Sequence, residues 1–218
     1  MKELTGLREE IFEEGKLYAW LKSYCEEHTL PQAQRALIYA RKMHKGQTRK
    51  MDRFCSEQVP YIVHPMTLAK EAIALGLSDD VTVSCALLHD VCEDCGVDVS
   101  LLPFDDDIRR IVGMLTRPTE PGLTVQERNT LYYKGMENNP TAILIKGLDR
   151  AHNVSTMAYS FNEERIVEYI EETEEFVLPL LDSIDSGFPQ FSPAAFAIRY
   201  HILSVTETVK FCMEGMWL

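Results

Sequence analysis

Two pairs of ionisable residues lie one helical turn apart in the segment at residues 87–95, LLHDVCEDC. On an α-helix, at about 100° per residue, all four side chains fall within an arc of roughly 140°. These residues are His89, Asp90, Glu93 and Asp94. Three carboxylates on one face repel one another and are costly to desolvate unless a cation lies among them. The segment therefore predicts a central helix that packs its apolar side on a core and binds a divalent metal on the other.

The composition and charge limit the class of protein and its partners. The chain has 218 residues, of which 45% are apolar and 26% charged, as expected of one well-buried globular domain. Its 34 acidic and 22 basic side chains give a formal charge of −12, whereas nucleic-acid and anionic-membrane binders usually carry basic surfaces. With no apolar signal core, no membrane-length apolar run and scattered cysteines, we expect a cytoplasmic protein with reduced thiols.

The spacing of apolar residues predicts helices along the whole chain, with no convincing run of alternating strands. We therefore expect an all-α, single-domain helical bundle at residues 1–218, with its motifs in a core at about 29–158. Packing helices are expected at 160–218, a stretch too short for a further catalytic domain. Loops are predicted at 51–59 and 182–193. The segment Ser78-Asp79-Asp80 is expected to cap the central helix, and Thr124 with Glu127 fits a capping box.

Other candidate site residues lie on either side of the central segment. His64 follows the loop at 51–59, and its alternative role is that of a packed or capping residue. Arg49 and Lys50 place a guanidinium beside an ammonium group, although such a pair is usually solvated. Asp149 and Asn153 share one face of a largely buried helix. An acid late in such a helix opposes the dipole and indicates a specific partner, with an arginine ion pair as the alternative.

Two imidazoles and two carboxylates from this set would form a mixed nitrogen and oxygen site suited to Mn, Fe or Zn. Four protein ligands would leave further positions for water and substrate in a five- or six-coordinate ion. The basic groups near such a site would supply the local positive field that the overall charge of −12 does not.

The order of these motifs resembles that of the HD-superfamily phosphohydrolases. More narrowly, it is similar to the alarmone hydrolase domain of the RelA/SpoT family and its small stand-alone relatives. The matching motifs are His44-Lys45-Gly46-Gln47-x-Arg49-Lys50, Pro60-Tyr61-Ile62-x-His64-Pro65, His89-Asp90 with Glu93-Asp94, and Asp149-Arg150-x-His152-Asn153. The match runs from about Ala33 to Met157. Several motifs in one order are far more specific than an isolated His-Asp dipeptide.

The resemblance implies a metal-dependent hydrolase that removes pyrophosphate from the ribose 3′ position of the nucleotide (p)ppGpp, usually with Mn²⁺. The implied metal ligands are His64, His89, Asp90 and Asp149. Glu93 and Asp94 would position or deprotonate the attacking water and help to protonate the leaving oxygen. The implied nucleotide contacts are Arg49, Lys50 and Asn153. Two departures from the family pattern are the longer segment at 51–59 and Lys146-Gly147-Leu148-Asp149 in place of Lys-Leu-Ala-Asp.

Three alternatives remain open from the sequence. An HD-type site could act on another nucleotide or phosphate ester. It could also be a non-catalytic metal or nucleotide sensor, although a sensor has no need of the Glu93-Asp94 pair. Cys92-x-x-Cys95 has the spacing of a redox motif or of half a zinc site. On the predicted helix both sulfurs point away from the carboxylates, which favours packing as the role of these cysteines.

Overall fold

The structure is a computed structural model that describes residues 13–50, 58–119 and 121–215. These residues are almost entirely helical, which confirms the all-α prediction. They separate into two compact units, one of residues 13–49 and 58–117 and one of residues 50, 118–119 and 121–215. The single-domain boundary at 1–218 stays a prediction. None of the helices in the described ranges is long and apolar enough to cross a bilayer.

The part of the chain before residue 118 contains short strands as well as helices. Its elements are α1 (Glu14–Glu27), α2 (Pro31–Met43), β1 (Thr48–Lys50), β2 (Gln58–Pro60), α3 (Val63–Ala74), α4 (Asp80–Leu88), α5 (Val91–Cys95), a 3₁₀ turn (Val99–Leu101) and α6 (Asp106–Leu115). The two strands pair in a small sheet. The predicted loop at 51–59 is therefore wrong at its end, and its residues 51–57 lie outside the described part of the chain. Strand β2 ends at Pro60, which has no amide to donate to the sheet.

Side chains at the start of α4 cap two helices. Asp79 accepts a hydrogen bond from the Thr82 amide at 2.9 Å, which confirms the predicted cap of α4. The Asp80 carboxylate accepts from the amides of Gln32 at 3.1 Å and Ala33 at 2.7 Å, in the first turn of α2. Those amides have no partner within their own helix, so Asp80 satisfies them from α4. Helices α2 and α4 also pack against each other.

The central helix is interrupted between α4 and α5, so the prediction of a continuous helix through residues 87–95 is wrong. His89 and Asp90 form a turn between the two helices. The Nδ1 atom of His89 lies 2.9 Å from the Ala86 carbonyl oxygen, the atom that would accept the Asp90 amide in an uninterrupted helix. Helix α5 then ends at Gly96, whose φ of 65° is easily adopted by glycine.

The described part of the chain after residue 118 consists of helices joined by turns and short connections. Its elements are α7 (Val125–Lys134), α8 (Pro140–Ser160), α9 (Glu163–Glu172), a π-helical turn (Thr173–Val177), α10 (Leu178–Gly187), a 3₁₀ turn (Pro189–Phe191) and α11 (Ser192–Gly215). The capping box of Thr124 and Glu127 is present, as predicted. The loop predicted at 182–193 is wrong at both ends, because α10 continues to Gly187 and α11 begins at Ser192. The connection between the two helices is short and contains the 3₁₀ turn.

Gly147 allows α8 to approach two neighbouring helices closely. A Cβ atom at this position would lie 2.8 Å from Leu181 Cδ2 and 3.0 Å from Ile198 Cγ2. Both neighbours are buried, so they have little room to move. Helix packing therefore explains the glycine at 147, one of the two residues in which this motif departs from Lys-Leu-Ala-Asp.

Gly147→Ala is expected to lower the free energy of unfolding by about 1 kcal/mol, because overpacking costs about 1–3 kcal/mol and the gain in helix propensity offsets only about 1 kcal/mol. The matched control is Gly113→Ala in α6, where the new Cβ would meet Val99 Cγ1 at an ordinary 3.4 Å. The control is expected to gain up to about 1 kcal/mol. Urea unfolding followed by circular dichroism measures both, and a stabilised Gly147→Ala protein would contradict the packing argument.

Candidate metal centre

Three of the predicted metal ligands meet in one group within the first unit. Atoms of His64, His89 and Asp90 all lie within 4.8 Å of one another. The Asp90 Oδ2 atom is 3.5 Å from His64 Nε2 and 3.0 Å from His89 Nε2. His64 lies in the first turn of α3, and His89 follows the last residue of α4. Within the described residues, no other group of histidine, cysteine and acidic side chains has a spacing that could hold an ion.

The chemistry of these donors fits a divalent metal. The two histidines are 2% and 3% exposed. Because the Ala86 carbonyl can only accept, the His89 Nδ1 atom at 2.9 Å is the donor, and Nε2 of the neutral ring keeps a lone pair. A lone pair 3.0 Å from a carboxylate oxygen is repulsive unless a proton or a metal lies between them. Burial alone would raise the pKa of Asp90, but the positive charge of His89 and His64, when these rings are protonated, holds it well below its usual value. A bound cation would take the place of those protons.

Tyr61 orients the carboxylate of this group. Its hydroxyl donates a hydrogen bond of 2.6 Å to Asp90 Oδ2. Burial and the nearby Asp90 carboxylate raise the pKa of Tyr61, so the hydroxyl stays protonated and remains a donor. The Tyr61 ring also stacks on His44, with 4.8 Å between centroids. From the sequence alone, Tyr61 was assigned no role. The one feature that could have indicated a role is its position three residues before His64.

Tyr61→Phe is expected to weaken binding of a divalent metal by about 10- to 100-fold, the usual loss when a hydrogen bond to a metal ligand is removed. The ring and its packing are retained, so the free energy of unfolding of the metal-free protein should change little. Tyr39→Phe is the control, since that ring contacts Phe104 and lies outside the three-donor group. Calorimetric titration with Mn²⁺ measures the effect, and equal affinities in both variants would contradict it.

Glu93 and Asp94 lie on α5, one turn beyond Asp90, and both are exposed. Glu93 Oε2 accepts the Arg117 amide at 3.2 Å. The Asp94 carbonyl accepts from Gln47 Nε2 at 3.2 Å, which connects α5 to the segment after α2. Neither carboxylate belongs to the three-donor group. They are therefore accessible acids on the helix that directly follows Asp90.

The predicted nucleotide contacts of the first motif lie at the small sheet. Arg49 is half-buried in β1, with its guanidinium 5.6 Å from the centre of the Tyr61 ring. Lys50 is the last residue of that strand. The guanidinium thus lies near the residue that orients Asp90, where it could meet an anionic substrate.

Asp149 and Asn153 contact each other in the second unit. Asp149 is buried, its Oδ1 accepts from Asn153 Nδ2 at 2.6 Å, and its Oδ2 accepts from Lys146 Nζ at 2.8 Å. The ion-pair partner is therefore a lysine, where the sequence had suggested an arginine. Burial alone would lower the pKa of Lys146, but Asp149 holds it well above its usual value. The metal role of Asp149 and the substrate role of Asn153 stay predictions.

The cysteines of α5 are poor candidates for zinc or redox chemistry. Cys92 is buried, and burial raises its pKa to about 11. Burial also raises the pKa of Cys95, whose sulfur lies 3.6 Å from His44 Nδ1. Zinc binding and thiol exchange need the thiolate form, which these surroundings disfavour.

No family model matches the chain. It is 31% identical over 182 residues to a GTP pyrophosphokinase of Streptomyces coelicolor. The aligned residues cover 80% of this chain and 20% of that protein. It is 30% identical over 166 residues to a guanosine-3′,5′-bis(diphosphate) 3′-pyrophosphohydrolase of Aquifex aeolicus, covering 73% of this chain and 22% of that protein. The chain thus spans about a fifth of the length of these relatives.

A shorter relative matches over most of its own length. This is the guanosine-3′,5′-bis(diphosphate) 3′-pyrophosphohydrolase MESH1 of Xenopus tropicalis, 31% identical over 153 residues, 65% of this chain and 80% of that protein. A solved structure of a metazoan ortholog of SpoT that hydrolyzes ppGpp shares the fold, with a TM-score of 0.57 and 24% identity over 73% of this chain and 94% of that one. The motifs, the fold and the match to the Xenopus protein together show that the chain belongs to the HD-type family of alarmone hydrolases.

Proposed function

We propose that the protein is a Mn²⁺-dependent hydrolase that releases pyrophosphate from the 3′ position of (p)ppGpp. The observation that carries this proposal is the three-donor group of His64, His89 and Asp90, followed one turn later by two accessible acids. The names of the Aquifex and Xenopus relatives support the choice of substrate. The mixed imidazole and carboxylate donors support Mn²⁺ over Mg²⁺, which prefers oxygen ligands and water.

The proposed ligands are His64, His89, Asp90 and Asp149, with Tyr61 orienting Asp90. A divalent ion held by them would lower the pKa of a bound water and neutralise charge on the phosphoryl oxygens. Both oxygens of Asp149 accept hydrogen bonds, and each carboxylate oxygen has a second lone pair available for a metal.

Glu93 and Asp94 carry the proton in the proposed reaction. One of them accepts a proton from the attacking water, and the water oxygen forms a bond to the nearer phosphorus of the 3′-pyrophosphate. The bond between this phosphorus and the ribose 3′ oxygen breaks, and the leaving oxygen receives a proton from the same pair of acids. Arg49, Lys50 and Asn153 bind the nucleotide. The products are pyrophosphate and a nucleotide with a free 3′ hydroxyl.

The proposed partner is a small nucleotide, and the proposed location is the cytoplasm. The formal charge of −12 supports the first point, because it disfavours nucleic acid and anionic membranes as partners. The cysteines in the described part of the chain are free thiols, as expected in a reducing compartment. They are Cys25, Cys85, Cys92, Cys95 and Cys212.

The test begins with protein stripped of metal by a chelator and then dialysed. ppGpp is added with Mn²⁺, Mg²⁺, Zn²⁺ or no metal, and pyrophosphate release is followed. We expect release with Mn²⁺ and little release without added metal. A parallel panel of GTP, GDP, ATP and a simple phosphate ester identifies the alternative substrates.

Turnover of another substrate in the panel without release from ppGpp would replace the alarmone with that substrate. Metal binding without turnover of any compound would favour a sensor. The Asp90→Asn protein, purified in parallel, is the control for contaminating hydrolases.

A further inference from the structure

The first unit contains a cavity of about 610 Å³ that is separate from the three-donor group. It lies among α1, the end of α2 and the small sheet, and Tyr18, Ile38, Pro60 and Ile62 supply its apolar surface. None of the three metal donors lines it, and neither does Arg49. The volume is within the range of about 300–1,000 Å³ that is usual for small-molecule sites.

Cations outnumber acids in the lining of this cavity. Its described lining includes three basic residues, Arg41, Lys42 and Lys45. Glu14 is the one acidic residue in that described lining. Glu14 pairs with Arg41 at 2.7 Å, and the Arg41 guanidinium lies 4.3 Å from the centre of the Tyr18 ring. The two lysines therefore leave an excess of positive charge at the cavity. In a chain with a formal charge of −12 this excess is local, and it favours an anionic ligand.

His44 adds a buried polar group to the same lining. The residue is 2% exposed, and its Nδ1 atom lies 2.7 Å from Gln47 Oε1. Its Nε2 atom is buried and has no hydrogen-bond partner among the described residues. Because the Gln47 side-chain oxygen can only accept, Nδ1 is the donor in the contact with Gln47, which holds the ring in the wall of the cavity.

We propose that this cavity binds a nucleoside phosphate, separately from the metal centre. The apolar surface and the Tyr18 ring suit a nucleobase, and the two lysines suit the phosphates. The site is distinct from the proposed reaction, because its lining includes no metal ligand and none of the acids that carry the proton. His44 nevertheless stacks on Tyr61, so a ligand in the cavity would contact a residue adjacent to the metal centre.

The test is equilibrium binding of a fluorescent methylanthraniloyl derivative of GDP in EDTA, so that no metal is present. Four variants are compared with the unmodified protein, one of which neutralises the two cavity lysines as Lys42→Gln with Lys45→Gln. Lys42→Glu with Lys45→Glu reverses the charge at the cavity. Lys22→Glu with Lys70→Glu changes the net charge equally at exposed lysines outside the lining. Arg49→Ala removes the guanidinium proposed to bind the hydrolysed substrate.

We expect the cavity variant to bind the probe at least about 10-fold more weakly, while the charge-matched control and Arg49→Ala stay within about 2-fold. Unlabelled GDP should displace the probe better than guanosine or inorganic phosphate does. The absence of probe binding, equal weakening in both lysine pairs, or loss confined to Arg49→Ala would overturn the proposal. Circular dichroism confirms that each variant is folded, and Lys42→Gln with Lys45→Gln should give an intermediate loss. None of these readouts depends on hydrolysis of ppGpp.

Discussion

Replacing Asp90 with asparagine is expected to reduce the proposed Mn²⁺-dependent release of pyrophosphate from ppGpp by about 10³-fold or more, because the loss of a proposed metal ligand would remove several kcal/mol of stabilisation of the transition state. Asp90 is the carboxylate of the three-donor group, and its Oδ2 atom is within 3.5 Å of both imidazole Nε2 atoms. An amide oxygen has no negative charge to attract the ion. Calorimetric titration with Mn²⁺ should therefore show a parallel loss of affinity.

Glu93→Gln is the comparison that separates proton transfer from metal binding. Glu93 is exposed and lies outside the three-donor group, so the variant should bind Mn²⁺ as the unmodified protein does. Its turnover should fall by about 10²- to 10⁴-fold if the carboxylate moves a proton in the reaction. An Asp90→Asn protein with undiminished metal binding and activity would show that the metal assignment is wrong.

Arg150→Met is expected to lower the free energy of unfolding by about 3–5 kcal/mol. It removes the cation of a buried ion pair and leaves the Glu172 carboxylate without a compensating positive charge. Arg150 is 0% exposed. It donates to Glu172 Oε1 at 2.7 Å, the Tyr169 carbonyl at 3.1 Å, Thr173 Oγ1 at 3.0 Å and the Tyr133 hydroxyl at 3.0 Å. Methionine has a similar length but no donor, so all four acceptors lose a hydrogen bond.

Arg165→Met provides the matched control on α9. The Arg165 side chain is half exposed and forms an ion pair of 3.1 Å with Glu168, which is also exposed. Pairs of this kind contribute about 0–1 kcal/mol, so the change should be small. Urea unfolding of both variants in EDTA measures the difference without a contribution from metal. Equally small effects would contradict a structural role for the Arg150 contacts.

Local chemistry explains which parts of the fold could be predicted from the sequence. The caps at Asp79 and Thr124 were predicted correctly, because a cap depends on residues two or three positions away. The break at His89 depends on a side chain that binds a carbonyl of its own helix, which periodicity does not reveal. The π-helical turn that begins at Thr173 was also missed. Arg150, on another helix, donates to the Tyr169 carbonyl and to Thr173 at the start of this turn. Contacts of this kind, between residues far apart in the chain, are not visible in the local sequence pattern.

The residues of the candidate site also fall into those that the sequence could predict and those that it could not. The spacing of His89 and Asp90, with the motif around His64, was enough to predict residues that meet in the structure. The lysine partner of Asp149 lies three residues earlier on the same helix, a spacing that places both side chains on one face. The role of Tyr61 could not be predicted, because it depends on a hydrogen bond across 29 positions of the chain.

The two hydrogen bonds from the start of α2 to Asp80 have a consequence for insertions and deletions. They tie the beginnings of α2 and α4 together, and these helices are followed directly by His44 and His89. Each residue added to a helix advances its end by about 1.5 Å and rotates it by about 100°. A single-residue insertion in either helix would therefore misplace one histidine relative to the other.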